Sequence, residues 1–271
     1  MKHIRFLFVG ILLALTVLVT PAAATDNESY SNTYGTIDWT DAANGYITVN
    51  YTARSSKTLK CQVIGPDGKY NYTIQSNEPT RISLNLGEGK YTVSLLENTQ
   101  GNKYACNVKT AFAVDFDNDV APYLTSNPYV DWAGDETLLQ LVDTITADCK
   151  TVDEEINAIY TYVARHITYD FAKAAELKSG YVTNISGILA SGKGICLDYS
   201  AIMAGMLRAK NIPCKLVIGD WKGTYHAWVE VYHEDAQTWE RFDPTYGAAC
   251  KPDRIEKAAG GDEAYTAEKW Y

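Results

Sequence analysis

Between about positions 35 and 116, hydrophobic and polar side chains alternate in short runs that are broken by turn residues. In Gly45 to Thr52, Ile47, Val49 and Tyr51 share one face, because successive side chains of a strand project to opposite sides. Six or seven such strands with no helical stretch predict a small immunoglobulin-like β-sandwich over residues 25–117. The other runs are 59–63, 82–86, 91–95 and 103–116, with turn chemistry at Pro66-Asp67-Gly68 and Gly87-Glu88-Gly89.

Beyond Asp117 the period changes from two residues to about 3.6, the period of a helix. Thr151 and Glu154 have the spacing of a capping box, in which each side chain accepts a hydrogen bond from the other residue's backbone amide. We therefore expect a domain boundary near 117–125, where Ala121-Pro122 supplies a break, and assign 118–271 to a second, α+β domain. The predicted helix after the capping box has one apolar face: Ile156, Ile159, Tyr160, Val163 and Ile167.

A second helix is expected from Cys196 to about Lys210, since Gly192-Lys193-Gly194 precedes it and Asn211 and Pro213 close it. Three strands are predicted after this helix, over 214–219, 225–232 and 237–242.

The N-terminus has the three parts of a secretory signal peptide: a basic start, an apolar run from Phe6 to Val19, and a small-residue exit at Pro21 to Ala24. We expect residues 1–24 to be a leader that is cleaved near Ala24, which predicts a secreted or cell-surface protein. The alternative is an uncleaved membrane anchor. The apolar run disfavours it, because the run is shorter than the roughly 20 residues that a membrane-spanning helix needs.

The chain carries 33 Asp and Glu against 24 Lys and Arg, a net charge of −9. This acidic balance argues against nucleic acid, whose phosphates attract a basic surface, and against anionic membranes. We expect no stable membrane insertion after leader cleavage. The motifs of zinc proteases, serine hydrolases and nucleotide-binding loops are absent from the sequence, so no metal and no cofactor are expected.

The six cysteines contain no C-x-x-C pair, which argues against a zinc ribbon or a thioredoxin-like site. In an exported protein they favour disulfides, and Cys61 and Cys106 could bridge the predicted sandwich. If Cys196 stays reduced for chemistry, five cysteines remain and at least one other thiol is unpaired.

Cys196 stands at the predicted start of a helix, where unpaired amides and the positive end of the dipole favour a thiolate. Taken alone, such a cysteine is more often a buried structural thiol, and a lone histidine such as His226 is usually structural as well. If the loop between the last two predicted strands pairs Tyr232 with Gln237, then His226 directly faces Asp243. Opposed residues project from the same side of a sheet, so this register predicts an imidazole beside a carboxylate. The three side chains are the nucleophile, the base and the orienting group of papain-type catalysis.

Four segments in this order resemble the transglutaminase-like superfamily, of the secreted bacterial type: 194–200 (GICLDYS), 212–213 (IP), 226–230 (HAWVE) and 239–245 (WERFDPT). The resemblance covers about residues 120–250. It implies a papain-like α+β fold and acyl transfer through a thioester, with Cys196 as nucleophile, His226 as general base and Asp243 as the residue that fixes the imidazole. It also implies a second oxyanion donor upstream of the helix, for which Tyr169, Tyr181 and Asn184 stay open.

Other polar residues in this part have simpler interpretations. We expect Asp198 to complement the helix dipole, although its charge opposes a thiolate, and Trp228 and Trp239 to pack. His166 and Asp170 form a spare pair that we favour less.

Three functions are compatible with these residues. The first is a thiol hydrolase that opens peptide or amide bonds of a peptide or protein substrate, which we favour because water is always present. The second is a protein-crosslinking transglutaminase, in which a lysine amine takes the acyl group. The third is a non-catalytic cell-surface binding protein. The N-terminal domain is expected to be a binding or spacer module rather than part of the active site.

Overall fold

The computed structural model describes residues 28–177, 180–250 and 264–271. The predicted leader with its cleavage point near Ala24 lies outside these residues.

In the part of the chain that the structure describes, eight strands precede the first α-helix, one or two more than the alternation predicts. The bounds of β1 to β8 are Ser29–Ser31, Gly35–Asp38, Tyr46–Tyr51, Leu59–Gly65, Gly68–Ile74, Thr80–Ser83, Gly89–Gln100 and Lys103–Val114. They form two antiparallel four-stranded sheets, in the orders β1-β2-β3-β6 and β5-β4-β7-β8, so the chain crosses between the sheets three times. We call residues 29–114, which comprise these strands and the turns between them, the β-module.

The inward faces of both sheets of the β-module contribute to one hydrophobic core. Ile47 and Val49 of β3 are fully buried, as the alternation predicts, and so are Val93 and Leu95 of the other sheet. Burying such aliphatic side chains contributes about 1.5–3 kcal/mol each. Aromatic rings also join the sheets, since Trp39 and Phe112 stack with centroids 5.0 Å apart.

Tyr91, near the start of β7, closes the turn before its own strand. Its hydroxyl accepts a hydrogen bond from the Leu86 amide at 2.9 Å and lies 2.9 and 2.8 Å from the carbonyl oxygens of Leu84 and Gly87. A tyrosine that reaches back in this way fixes the corner between two sheets.

The disulfide considered between Cys61 and Cys106 is wrong. Both thiols are free, as are the other four. Cys61 lies opposite Leu95 and Cys106 opposite Leu96, so strand β7 separates them. Two inter-strand spacings amount to roughly 10 Å, and a disulfide needs Cα atoms within about 7 Å.

The remaining elements alternate helices with short strands and then form a third four-stranded sheet. After a 3-10 turn at Ala121–Tyr123, the helices α1 to α6 are Glu136–Thr146, Val152–His166, Phe171–Ala175, Ile185–Ser191, Cys196–Ala209 and Pro244–Ala249. The strands β9 to β14 are Thr168–Tyr169, Lys193–Gly194, Cys214–Trp221, Thr224–His233, Thr238–Phe242 and Tyr265–Trp270. Helix α2 begins as predicted, because Thr151 Oγ1 accepts from the Glu154 amide at 3.2 Å.

Helix α5 is the centre of this second core. Its residues from 198 to 208 are all buried, because α1 and α2 cover one side and strands β11 and β12 cover the other. The sheet has the order β13-β12-β11-β14. The side chain of Arg208 joins the layers, since its guanidinium donates to the carbonyl oxygens of Thr125, Cys214 and Tyr271.

Strand β14, which no sequence pattern predicted, connects this sheet to the β-module. The Trp270 amide donates to the Tyr70 hydroxyl at 3.0 Å, and the Asn85 side-chain amide donates to the Trp270 carbonyl. Tyr271 stacks on Tyr129 with ring centroids 4.0 Å apart. Within residues 28–177, 180–250 and 264–271, no helix is long and apolar enough to cross a bilayer.

We expect Tyr91→Phe to lower the free energy of unfolding by about 1–3 kcal/mol, because the buried Leu86 amide loses its acceptor. Chemical denaturation measures the loss. Tyr30→Phe is the matched control, since Tyr30 is 42% exposed. Equal stability of the two variants would contradict the role of the corner.

Candidate active site

Cys196 is the first residue of α5, and a short strand pair fixes the approach to it. Strand β10 runs parallel to β9, with Gly194 opposite Tyr169. The first amide of the helix with an intrahelical partner is that of Asp198, which donates to the Ile195 carbonyl at 2.8 Å. The amides of Cys196 and Leu197 therefore stand at the open, positive end of the helix, where they can hold an anionic oxygen.

Asp198, in the first turn of α5, is fully buried, which the sequence did not indicate. A buried carboxylate is costly unless donors surround it, and four do. A Cβ at position 194 would lie 2.8 Å from the Asp198 Cβ, so glycine there allows the close approach. The four donors are Lys173 Nζ at 2.7 Å, Tyr181 OH at 2.6 Å, Thr183 Oγ1 at 2.9 Å and the Ile195 amide at 2.9 Å.

His226 lies on β12, between β13 and β11 in the sheet. Its Nε2 is 2.8 Å from Asp243 Oδ2, and its ring lies 6.3 Å from the ring of the buried Trp228. The Cys196 side chain lines the same cleft as the imidazole and contributes to the raised pKa of the ring. Because Nε2 is used by the carboxylate, the nitrogen left for the thiol is Nδ1. The structure thus brings the three sequence-predicted residues together.

The register that led to this expectation is wrong by two residues. Tyr232 lies opposite Trp239, not Gln237, and the ladder ends at Val229 opposite Phe242. The turn occupies residues 234–237 because Gln237 adopts a left-handed φ of 51°, which its residue type does not signal. A shift of two keeps every side chain on its face, so His226 still reaches Asp243, but diagonally.

Asp243 combines two structural roles. It is the N-cap of α6, where its Oδ1 accepts from the Tyr246 amide at 2.9 Å. Its Oδ2 accepts from His226 and also from the Tyr265 hydroxyl at 2.8 Å. The residue is fully buried, so both carboxylate oxygens are held without solvent.

The environment favours the charged imidazole. Burial alone would lower the pKa of His226, but the hydrogen bonds and negative charges of Asp243 and Cys196 outweigh it and raise the pKa to about 9. At neutral pH the arrangement therefore favours a protonated imidazole beside the Cys196 sulfur.

A cleft of about 750 Å³ opens over the thiol, and its wall is mainly apolar and aromatic. Phe171 and Tyr225 line it and are 79% and 64% exposed. Arg165 is the one permanently charged side chain that lines it within the described part of the chain.

The geometry separates the three candidates for the second oxyanion donor. Tyr181 donates to Asp198 and Asn184 caps α4 by accepting from the Gly187 amide at 3.0 Å, so both are committed elsewhere. Tyr169 lines the cleft beside Cys196, and burial, together with the charge of Cys196, raises the pKa of its hydroxyl.

The other sequence-predicted residues are structural in this fold. His166 contacts the Tyr162 carbonyl at 2.9 Å, and Asp170 caps α3 by accepting from the Lys173 amide, so the two do not form a spare catalytic pair. Trp228 and Trp239 pack as expected, the latter 5.1 Å from the Tyr232 ring. Sequence reasoning missed Lys173 and Tyr265; only the unexplained carboxylate of Asp198 pointed to a missing cation.

Known proteins match the part of the chain that contains these residues. Residues 139–244 match the family model described as the transglutaminase-like superfamily, which confirms the expected transglutaminase-like, papain-like fold for this segment. A protein-glutamine gamma-glutamyltransferase of Pseudomonas aeruginosa is 39% identical over 93 residues, 28% of this chain and 14% of that protein. Kyphoscoliosis peptidase of Homo sapiens is 30% identical over 121 residues, 40% of this chain and 18% of that protein. The matched segments thus span less than a fifth of either curated relative.

Among solved structures, the periplasmic domain of TgpA from Pseudomonas aeruginosa matches with a TM-score of 0.39 and 16% identity. The match covers 87% of this chain and 98% of that one.

We expect Cys196 to react with iodoacetamide faster than the exposed Cys106 at pH 6, because the positive charge of the neighbouring His226 imidazolium activates the sulfur. A step in the rate near pH 9 should mark loss of the imidazolium proton. In Asp243→Asn the anion that favours the charged ring is gone, so the step should move to lower pH. Isotope-coded labelling with peptide mapping measures both cysteines in one sample. Equal rates at Cys196 and Cys106 would refute the activated thiol.

Proposed function

Because residues 139–244 belong to the transglutaminase-like superfamily, we propose that this chain is a thiol acyl-transfer enzyme that hydrolyses peptide or amide bonds through a thioester on Cys196. The observation that carries the proposal is the chain of contacts on the wall of the cleft. The Cys196 side chain lies in the cleft beside the His226 imidazole, and Nε2 of that ring lies 2.8 Å from Asp243 Oδ2.

In the first half-reaction, the Cys196 thiolate attacks the carbonyl carbon of a bound amide. The oxygen becomes an oxyanion at the open end of α5, where unpaired amides and the Tyr169 hydroxyl can donate to it. The imidazolium of His226 gives its proton to the departing nitrogen, the C–N bond breaks, and the amine leaves. A thioester on Cys196 and a neutral imidazole remain.

In the second half-reaction, His226 accepts a proton from water as the water oxygen attacks the thioester. The carboxylic acid is released and the thiolate–imidazolium pair returns. Asp243 stays charged throughout and holds the ring in the tautomer with Nε2 protonated. An amine in place of water would give a new amide bond, with the same proton transfers.

The exposed rim of the cleft supports hydrolysis. Phe171 and Tyr225 are both largely exposed, so the described walls leave the thioester open to water. One curated relative is a peptidase by name. The other is a gamma-glutamyltransferase by name, and this favours crosslinking as the second candidate.

The walls of the cleft also support a substrate class. An apolar, aromatic lining with one permanent cation, Arg165, fits a polypeptide that carries a bulky apolar side chain next to the reacting carbonyl. Tyr169 and Phe171 carry no positive charge that could pair with a substrate carboxylate, so this part of the wall favours an apolar side chain.

For the β-module we propose an immunoglobulin-like binding or spacer domain over residues 25–117. The support is the division of its strands between two antiparallel sheets and the corner that Tyr91 forms at the start of β7. The second domain would then comprise residues 118–271.

To test the reaction, a peptide with Phe beside a reactive Gln is incubated with and without a labelled primary amine. We expect release of ammonia without incorporation of the amine, and no reaction by Cys196→Ala. A peptide with Asp in place of that Phe should react at least about tenfold more slowly, the effect of roughly 1.4 kcal/mol of lost binding.

The alternatives give different results. Amine incorporation that exceeds ammonia release would establish the crosslinking enzyme instead. No reaction with either peptide, together with intact peptide binding, would favour the non-catalytic surface protein.

We further propose that the chain is exported, on the support of the leader at residues 1–24. Expression of the full sequence in a bacterial host should give an extracytoplasmic protein whose N-terminus begins just after Ala24. Mass spectrometry of the intact N-terminus measures this. Retention of Met1 on the exported protein would support the uncleaved anchor.

A further inference from the structure

The segment that matches the family model ends at residue 244, but a side chain beyond that segment also contacts Asp243. Tyr265, at the start of β14, places its hydroxyl 2.8 Å from Asp243 Oδ2. The same oxygen accepts from His226 Nε2 at 2.8 Å. One carboxylate oxygen therefore connects the imidazole to a tyrosine about twenty residues beyond it in the chain.

Strand pairing holds Tyr265 in this position. It lies opposite Trp221 of β11, and two residues later Ala267 lies opposite Gly219. A Cβ on Gly219 would overlap the Thr266 carbonyl oxygen, so only glycine lets β14 approach β11 this closely. The position of Tyr265 thus follows from the backbone ladder and not from a flexible side chain.

The ring of Tyr265 also packs against two other side chains. It meets the Trp228 ring edge to face at 5.1 Å, and the Arg241 guanidinium lies over it at 4.2 Å from the ring centroid. Burial, and next the charge of Asp243, raise the pKa of Tyr265 far above its ordinary value. The phenol therefore stays protonated and can only donate toward the carboxylate.

Simple packing is the competing explanation for Tyr265, and phenylalanine would pack equally well. The hydroxyl, however, is aimed at the one oxygen that orients His226, whereas the other oxygen is held by the Tyr246 amide. With a donor on each oxygen besides the imidazole, the plane of the carboxylate is fixed. A fixed plane determines the direction in which Nε2 must point and hence where Nδ1 meets the thiol.

We propose that Tyr265 is a positioning residue for the reaction, which holds Asp243 so that His226 is aligned on Cys196. This inference rests on the proposed function. It extends the active site to β14, beyond the segment that matches the family.

The test compares Tyr265→Phe, which keeps the ring, with Tyr232→Phe. Tyr232 lies on β12 in the same sheet and packs on Trp239, away from Asp243, so it controls for the loss of a phenol hydroxyl. Two quantities are measured on the full exported protein: the pH profile of iodoacetamide labelling at Cys196, and kcat and KM with the Phe-Gln peptide.

In Tyr265→Phe we expect kcat to fall about tenfold while KM stays within about twofold, because the hydrogen bond that holds the Asp243 carboxylate in its plane is lost while the binding walls of the cleft are unchanged. The labelling step near pH 9 should move to higher pH. Without the phenol hydroxyl, more of the negative charge of Asp243 acts on the His226 imidazolium, which then keeps its proton up to a higher pH. Tyr232→Phe should match the wild type in both measurements.

A merely structural tyrosine would change thermal stability but move neither kcat nor the step, and that result overturns the inference. The labelling profile needs no substrate, so it separates the two proposals. Suppose that Cys196 of the wild type is labelled faster than Cys106, but that Tyr265→Phe has the same labelling profile and the same kcat as the wild type. Then only the proposed role of Tyr265 is refuted. If wild-type Cys196 shows no such preference, the proposed function fails and the inference fails with it.

Discussion

The buried carboxylate of Asp243 is the constraint on which the rest of the site depends. An ionised carboxylate without solvent costs several kcal/mol unless donors surround it. Here the donors come from three directions: the Tyr246 amide, the His226 imidazole and the Tyr265 hydroxyl. Because these groups belong to α6, β12 and β14, satisfying one charge fixes the relative positions of three elements. The alignment of the imidazole is therefore a consequence of a folding requirement.

A second buried carboxylate fixes the other half of the site. Asp198 lies two residues after Cys196 and is neutralised by Lys173, 2.7 Å away. Without that cation its charge would oppose a thiolate at the start of the same helix. The pair also ties α3, whose first residue is Phe171, to the base of α5. The rim of the cleft and the electrostatic setting of the thiol thus depend on one ion pair.

Local patterns predicted much of this site, and the reasons for the failures are physical. The helix from Cys196 and the strand around His226 follow from turn residues and alternation, which are local signals. The predicted register was wrong because a left-handed Gln237 shifts the turn, yet Asp243 stayed on the correct face because side chains repeat every two residues. The pattern at Tyr265 was uninformative, since its position comes from pairing with β11, more than forty residues earlier in the chain.

The contacts of β14 also bear on the relation between the two halves of the molecule. The sequence suggested that the β-module stands apart from the active site. Yet one end of β14 presents Tyr265 to Asp243, and the other end bonds to Tyr70 and Asn85 of the β-module. An edge strand has only one backbone neighbour, so such contacts add to what holds it in place. The β-module therefore supports the strand that completes the surroundings of Asp243, whatever else it binds.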